Sequence, residues 1–278
     1  MIVRGQEDIE EMTRNLKAGL FALMAFVASA AIAGFESCPQ FFPNGIKPTV
    51  SVNAPAKQRE ICFDSFAVLH SGQSKTPVFV AERLNRASLQ AAKNGTRTNR
   101  FYEEARLPFA ERSRLQDYKA TAADARRFDR GHMAPAGDMG DYGSMAQSFS
   151  LANMVPQAPQ NNRRAWANIE KATRKYVLRS SGDVYVFTGP VYAAPVETLG
   201  PGEVWIPRHL FKLVYDPNTN RSWAHWLENT DEARVGRPIS YDELVRLTGT
   251  EFLPSGKADI SKTGGWSVRD SLHGLLKR

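Results

Sequence analysis

The sequence predicts an α+β fold, a single mixed domain with a central antiparallel sheet flanked by helices. Three observations lead there. Short apolar runs that alternate or continue like strands occur on both sides of the chain's middle, and some pair across turn-rich stretches as hairpins. Between them one long segment switches to helical spacing. No repeat, low-complexity tract or linker marks a boundary, so residues 34–278 read as one domain.

Residues 1–33 read as a signal peptide. The apolar run from Gly19 to Ala33 follows Arg14 and Lys17 and ends in Ala31-Ile32-Ala33, with Gly34 behind it. It is short for a membrane span, and polar residues follow at once. An uncleaved N-terminal anchor is the alternative. The acidic stretch from Gln6 to Glu11 suits a leader poorly, and a start at Met12 would give a cleaner one. Cleavage would leave a periplasmic or extracellular protein without stable membrane association.

Cys38 and Cys62 are the two cysteines. In an oxidising compartment they would form one disulfide around a loop of about two dozen residues. Two reduced thiols are the alternative, and neither cysteine has the CxxC spacing of a zinc or redox site.

The elements follow in order. Gly34 to Lys57, rich in Pro, Asn and Ser, is an irregular lead-in. Cys62 to Leu69 and Pro77 to Leu84 form strands around Ser71-Gly72-Gln73-Ser74. Asn85 to Phe128 is polar and Arg-rich, largely loop with short helical pieces, and loops of that length tend to be functional surfaces. Ser148 to Val155 reads as a buried strand. From Asn161 to Ser180 the spacing is helical, with Trp166, Ile169, Thr173, Tyr176 and Val177 on one side. Asp183 to Thr188 alternates as a strand. Glu203 to Asp216 and Arg221 to Leu227 make a hairpin across residues 217–220. Ser240 with Glu243 is a capping-box start for a helix to about Leu247.

The composition is that of an ordinary globular protein, 42% hydrophobic and 23% charged, which excludes disordered and fibrous classes. The chain carries 36 Lys and Arg against 29 Asp and Glu; residues 1–33 hold three and four of these, so 33 against 25 remain after cleavage. Such an excess suits a polyanion such as nucleic acid, though on its own it is a weak signal.

The segment Asp129-Arg130-Gly131-His132 carries the chemistry. An imidazole can be neutral and proton-accepting at working pH, so His132 is the candidate general base. Arg130, two residues earlier, leaves the same face of a strand and suits a phosphate. Gly131 permits close backbone approach and Pro135 stops the segment. Asn162, Trp166 and Glu170 recur at four-residue spacing along the next helix. Asp138 and Asp141 sit in a Gly-rich turn, where Asp is common, and are not assigned to the site. His70, His209, His225 and His273 lack motif context and fit core or surface roles.

With DRGHMAP, then Ser150-Leu151-Ala152-Asn153-Met154-Val155-Pro156-Gln157, then Asn162, Trp166 and Glu170 in register, the chain resembles the DNA/RNA non-specific endonucleases, the family of Serratia nuclease and endonuclease G. Thr188-Gly189-Pro190, Leu247-Thr248-Gly249 and Phe252-Leu253-Pro254 add support. The likeness runs from about Pro77 to Pro254. It implies a ββα-metal fold, a hairpin and a helix around one divalent ion, Mg²⁺ or else Mn²⁺ or another divalent cation. It also implies hydrolysis of DNA and RNA to 5′-phosphate ends, with little sequence specificity.

By the same resemblance His132 is the base, Asn162 the direct metal ligand, Glu170 the holder of metal-bound water, and Asn153 and Arg130 supporting residues. Asn161, beside Asn162, leaves open which asparagine faces the ion. Arg97 and Arg100 both lie near the family's transition-state arginine, and Arg100 is favoured because it directly precedes Phe101. Arg97, Arg127 and Arg163 belong with Arg106, Arg112, Arg114, Lys119, Arg126, Arg164, Arg174 and Lys175 to a basic groove for the nucleic-acid backbone, about half of these being solvated surface charges. The rival expectations are a catalytically inactive nucleic-acid-binding module and a phosphodiesterase for smaller substrates.

Overall fold

The computed structural model describes residues 34–93, 95–119 and 127–254. The proposed leader, Arg126 and His273 lie outside them. Among the described residues no helix is long and apolar enough to cross a membrane.

In chain order the elements are β1 (Gln58–Cys62), β2 (Phe66–Ser71), β3 (Thr76–Leu84), α1 (Arg86–Ala92), β4 (Asp129–His132), α2 (Tyr142–Ser148), β5 (Met154–Gln157), α3 (Ala167–Val177), β6 (Val184–Val191), β7 (Thr198–Leu199), β8 (Val204–Trp205), β9 (His209–Asp216), β10 (Arg221–Glu228) and α4 (Tyr241–Thr248). Six strands form an antiparallel sheet in the order β1-β2-β3-β6-β9-β10, while β4 pairs with β5 and β7 with β8 in separate two-stranded ribbons.

Strand alternation gives the large sheet two different faces. Phe79, Phe187 and Phe211 point to one side and join Phe35, Phe42 and Phe252 in an aromatic core. Burying each such ring contributes roughly 1.5–3 kcal/mol. Leu84, Val184, Val186 and Val214 point to the other side, where Leu89 of α1 and Val177 of α3 cover them. That second face carries the helix expected to hold the metal ligands.

The lead-in is irregular, as its composition predicts, but it is built into the core. It makes three short 3-10 turns, with Phe35, Phe41 and Phe42 buried. Two ties hold it: the Cys38–Cys62 disulfide, with Cα atoms 6.0 Å apart, and a reciprocal backbone pair between Thr49 and Glu251, both bonds 2.9 Å. At the other end Ser240 accepts from Glu243 N at 3.2 Å to start α4, and Gly249 at φ +66° closes it in the left-handed conformation glycine tolerates.

Three expectations need correction. Residues 148–155 are not one strand. Leu151–Asn153 is a 3-10 turn and β5 begins only at Met154, because Ser150 and Asn153 spend their side chains on nearby backbone groups, which competes with a ladder. The stretch from Glu203 to Asp216 is broken between β8 and β9, where Pro207 has no N–H to give. The long helix opens with a π-helical turn, Asn161–Trp166, before α3 takes α geometry. Single π turns are frequent at functional sites.

Candidate active site

Two neighbouring strands and one helix start the site. On β4, Gly131 faces Val155 of β5, and the Gln157 side chain folds across it. A Cβ at residue 131 would stand 2.1 Å from Gln157 Oε1, so the ribbon closes only around glycine. Gln157 in turn donates through Nε2 to Asn161 Oδ1 at 2.8 Å, which ties the ribbon to the π turn.

His132 ends β4 and is 8% exposed. Its ring meets the edge of Phe149 at 4.9 Å and lies 5.7 Å from Phe101. These two phenylalanines, themselves edge to face at 4.9 Å, form an aromatic platform. Two arginines rest on it: Arg130 lies over Phe101 at 4.0 Å and Arg97 over Phe149 at 5.0 Å. Burial, followed by the charges of Arg97 and Arg130, pulls the His132 pKa down to about 3. The imidazole is therefore neutral at ordinary pH and able to accept a proton. Its Nε2 is buried and has no hydrogen-bond partner among the described residues.

Asp129, at the start of β4, organises the helix. Its carboxylate accepts from Asn162 Nδ2 at 2.8 Å and from Arg163 Nε and Nη2 at 2.9 and 2.6 Å. The bond to Nδ2 fixes the Asn162 amide and turns its Oδ1 the other way. Asn161 is completely buried, with Oδ1 held by Gln157 and Nδ2 donating to Glu228 O at 2.6 Å. Of the adjacent asparagines, Asn162 is thus the one with an oxygen to offer.

Glu170, two turns further along, is half-buried, and desolvation pushes its pKa up to about 7, while Lys212 and Arg174 pull it back and Asp138 adds to the rise. Arg97 also acts on Glu170, which places the carboxylate in the same electrostatic field as His132. Beneath lies a buried polar strip on the second face of the sheet. Lys212 of β9, 1% exposed, donates to Thr188 Oγ1 at 2.7 Å and sits 5.6 Å from the Trp166 ring. Asp138 is buried and receives Arg174 Nη1 at 2.9 Å. Glu82 of β3 is buried with both carboxylate oxygens unpartnered among the described residues, and burial raises its pKa well above the usual carboxylate range.

The remaining sequence candidates divide. Asn153 is fully buried; its Oδ1 accepts from Ala134 N at 2.8 Å, and Nδ2 donates to Ala134 O and Ser148 O at 2.9 Å each. It staples the turn after His132 in place. Arg97 and Arg100 are both exposed; Arg97 lies over the Phe149 ring and its charge reaches both His132 and Glu170, while Arg100 stands beside Phe101. Arg127 is exposed. Arg163 has its fork on Asp129, Arg106 grips Glu104, and Arg174 binds Asp138, so these three are not free groove charges.

Sequence reasoning missed the orienting role of Asp129, the Phe149 half of the platform, and the buried Lys212. Lys212 left a signal, a lysine at an inward position of the apolar strand HLFKLVYD. Phe149 left none, since its partners are distant in sequence. Asp141 caps α2, accepting from Ser144 N at 2.9 Å, as a turn residue should, but Asp138 was set aside with it and is buried beside the site.

The donor set can be tested against a divalent ion. Among the described residues no group of three or more His, Cys, Asp and Glu could cage a metal. An oriented amide oxygen on Asn162 and a nearby carboxylate on Glu170 suit a hard cation that dehydrates reluctantly and keeps most of its waters. The residues fit.

A β-ribbon and a helix around a histidine, set on a large antiparallel sheet, define a ββα-metal nuclease. Residues 47–259 match the family model for DNA/RNA non-specific endonucleases, and the chain belongs to that family. It is 32% identical over 220 residues to Nuclease C1 of Cunninghamella echinulata var. echinulata, covering 72% of this chain and 84% of the relative. It is 27% identical over 209 residues to mitochondrial endonuclease G of Bos taurus, covering 70% and 67%. The fold matches a crystal structure of an EndoG/EndoGI complex with a TM-score of 0.62 at 24% identity, over 71% of this chain and 86% of that one. The protein is a nuclease acting on nucleic acid, from a family that depends on divalent metal.

Proposed function

We propose that the chain is an exported, Mg²⁺-dependent endonuclease that hydrolyses phosphodiester bonds of DNA and RNA without strong sequence preference, leaving 5′-phosphate and 3′-hydroxyl ends. The observation that carries this reading is a neutral, buried His132 flanked by Arg97 and Arg130 on one aromatic platform.

Asn162 would hold the cation through Oδ1, and Glu170 would hold its coordinated water. When bound, the cation supplies positive charge to the phosphoryl oxygens and the departing 3′-oxygen. His132 takes a proton from the attacking water, leaving hydroxide to add to phosphorus as the bond to the 3′-oxygen breaks, and the departing alkoxide takes a proton from solvent to become the 3′-hydroxyl. Arg97 and Arg130 meet the charge that grows on the non-bridging oxygens. Asn153 and the Phe101–Phe149 platform hold the base in place. No 2′-hydroxyl takes part, so one site serves both sugars.

His132→Ala tests the assignment. Plasmid nicking and RNA degradation should fall by several orders of magnitude while melting temperature and DNA retention stay near wild type; near-normal turnover would end the mechanism. EDTA should stop the wild-type protein, and a titration of Mg²⁺ against Mn²⁺ identifies the ion.

Export is supported by the leader-like residues 1–33 and by the Cys38–Cys62 pair, which suits an oxidising compartment. N-terminal sequencing of the mature protein should begin at Gly34, in the periplasm or the medium. An intact N-terminus in the cytoplasm would overturn it.

A further inference from the structure

Phe109 is 62% exposed, and the guanidinium groups of Arg112 and Arg114 each stand 5.4 Å from the centre of its ring. A lone exposed phenylalanine needs no explanation. One attended by two arginines, on a segment rooted at the active site, does.

Residues 102–118 form an arch with both feet beside the catalytic groups. At one foot Tyr102 N donates to Phe149 O at 3.2 Å, next to the platform under His132. At the other, Tyr118 lies within electrostatic reach of Arg130. The arch is braced inside: Arg112 Nη1 donates to Glu104 O at 3.2 Å, Leu115 N to Glu103 Oε1 at 3.2 Å, and Glu111 O meets His70 Nε2 at 2.9 Å. Phe109 is therefore presented by a stiff support. Arg114 is ion-paired with Asp117 at 3.6 Å, while Arg112 gives its bond to a neutral carbonyl and keeps its charge.

A flat apolar face beside the charge of Arg112 matches a ligand that carries flat bases and negative phosphates in alternation. We propose that Phe109, with Arg112 and Arg114, is a stacking subsite for an unpaired base of the substrate strand, away from the scissile phosphate. This rests on the nuclease reading above. Base–aromatic stacking tolerates any base, which suits an enzyme that reads no sequence, and loss of one stack corresponds to roughly tenfold in affinity.

Two variants test it. Phe109→Trp, titrated in EDTA with a long oligothymidylate, should lose indole emission that the wild-type protein does not lose, and a blunt duplex should produce no such loss. Phe109→Ala should raise KM about tenfold on long single strands, leave kcat unchanged, and leave cleavage of a dinucleotide untouched. Equal KM values for Phe109→Ala and wild type, no quenching, or equal quenching by duplex would overturn the subsite. If the wild-type protein cleaves and the variants match it, the subsite alone falls. If Phe109→Trp is quenched but the wild-type protein cuts nothing, the nuclease mechanism falls and the subsite stands.

Discussion

Asp129 holds Asn162 and Arg163 with one carboxylate, so it sets the direction of an amide it does not share with substrate. Outer partners of metal ligands commonly matter 10- to 100-fold, roughly, in metal affinity. Asp129→Ala should therefore move the Mg²⁺ activation curve up by about that factor, with kcat at saturating metal changed less. The two arginines before Phe101 can be told apart in the same way. Arg97→Ala should lower kcat by about two orders of magnitude, as loss of a transition-state donor does, while Arg100→Ala should stay within a few-fold of wild type in steady-state assays. Away from the chemistry, His70 is wholly buried and burial holds its pKa at about 4, against an ordinary 6.5. The unfolded chain therefore binds an extra proton between those values. Stability from this group is complete above about pH 6.5 and falls as pH drops towards 4, by roughly 3 kcal/mol at most. Urea midpoints at pH 7 and pH 5 should show about 2 kcal/mol of that loss, and His70→Gln should show a smaller one.

At the scale of elements, the β4–β5 ribbon depends on a single missing side chain. Gly131→Ala would drive its methyl into Gln157 and, through Gln157, disturb the π turn that carries Asn162. A stability loss of about 1–3 kcal/mol is expected from such overpacking, together with a fall in activity larger than unfolding explains, read from melting temperature and turnover side by side. Much of this architecture was legible beforehand. The hairpin strands follow a period of two, Ser240 and Gly249 bracket α4 with chemistry visible in the residues, and the DRGH word lies on a strand. The π turn was not legible, because four-residue spacing from Asn162 to Glu170 reads the same in either helix. Nor was the fate of the arginines: whether Arg163 reaches a phosphate or Asp129 is decided by a strand more than thirty residues earlier. Trp166 is fully buried above Lys212, as its place on the apolar side of the helix implies.

For the molecule as a whole, the irregular lead-in contributes as much order as a strand would. Three of its phenylalanines enter the aromatic core, and the Cys38–Cys62 link fixes it there. Replacing both cysteines by serine should lower unfolding stability by about 3 kcal/mol while the protein remains active at low temperature, since the link joins the lead-in to the edge strand β1 and β4 lies in a separate ribbon. Chemical denaturation of the double variant beside wild type checks this.

Phe252 meets Phe79, Phe187 and Phe211 at ring separations of 6.0, 5.5 and 5.2 Å, and Glu251 pairs with Thr49. The first and last parts of the described chain thus complete one another, which has a bearing on when the enzyme comes into being. While the chain is still being synthesised, every strand of the main sheet can emerge before the ring that seals its aromatic face. Ribosome-bound chains stopped short of residue 252 should be open to proteases on that face, and chains carried past it should resist. By this order of assembly, a cell making this nuclease would meet it finished only after residue 252 has left the ribosome.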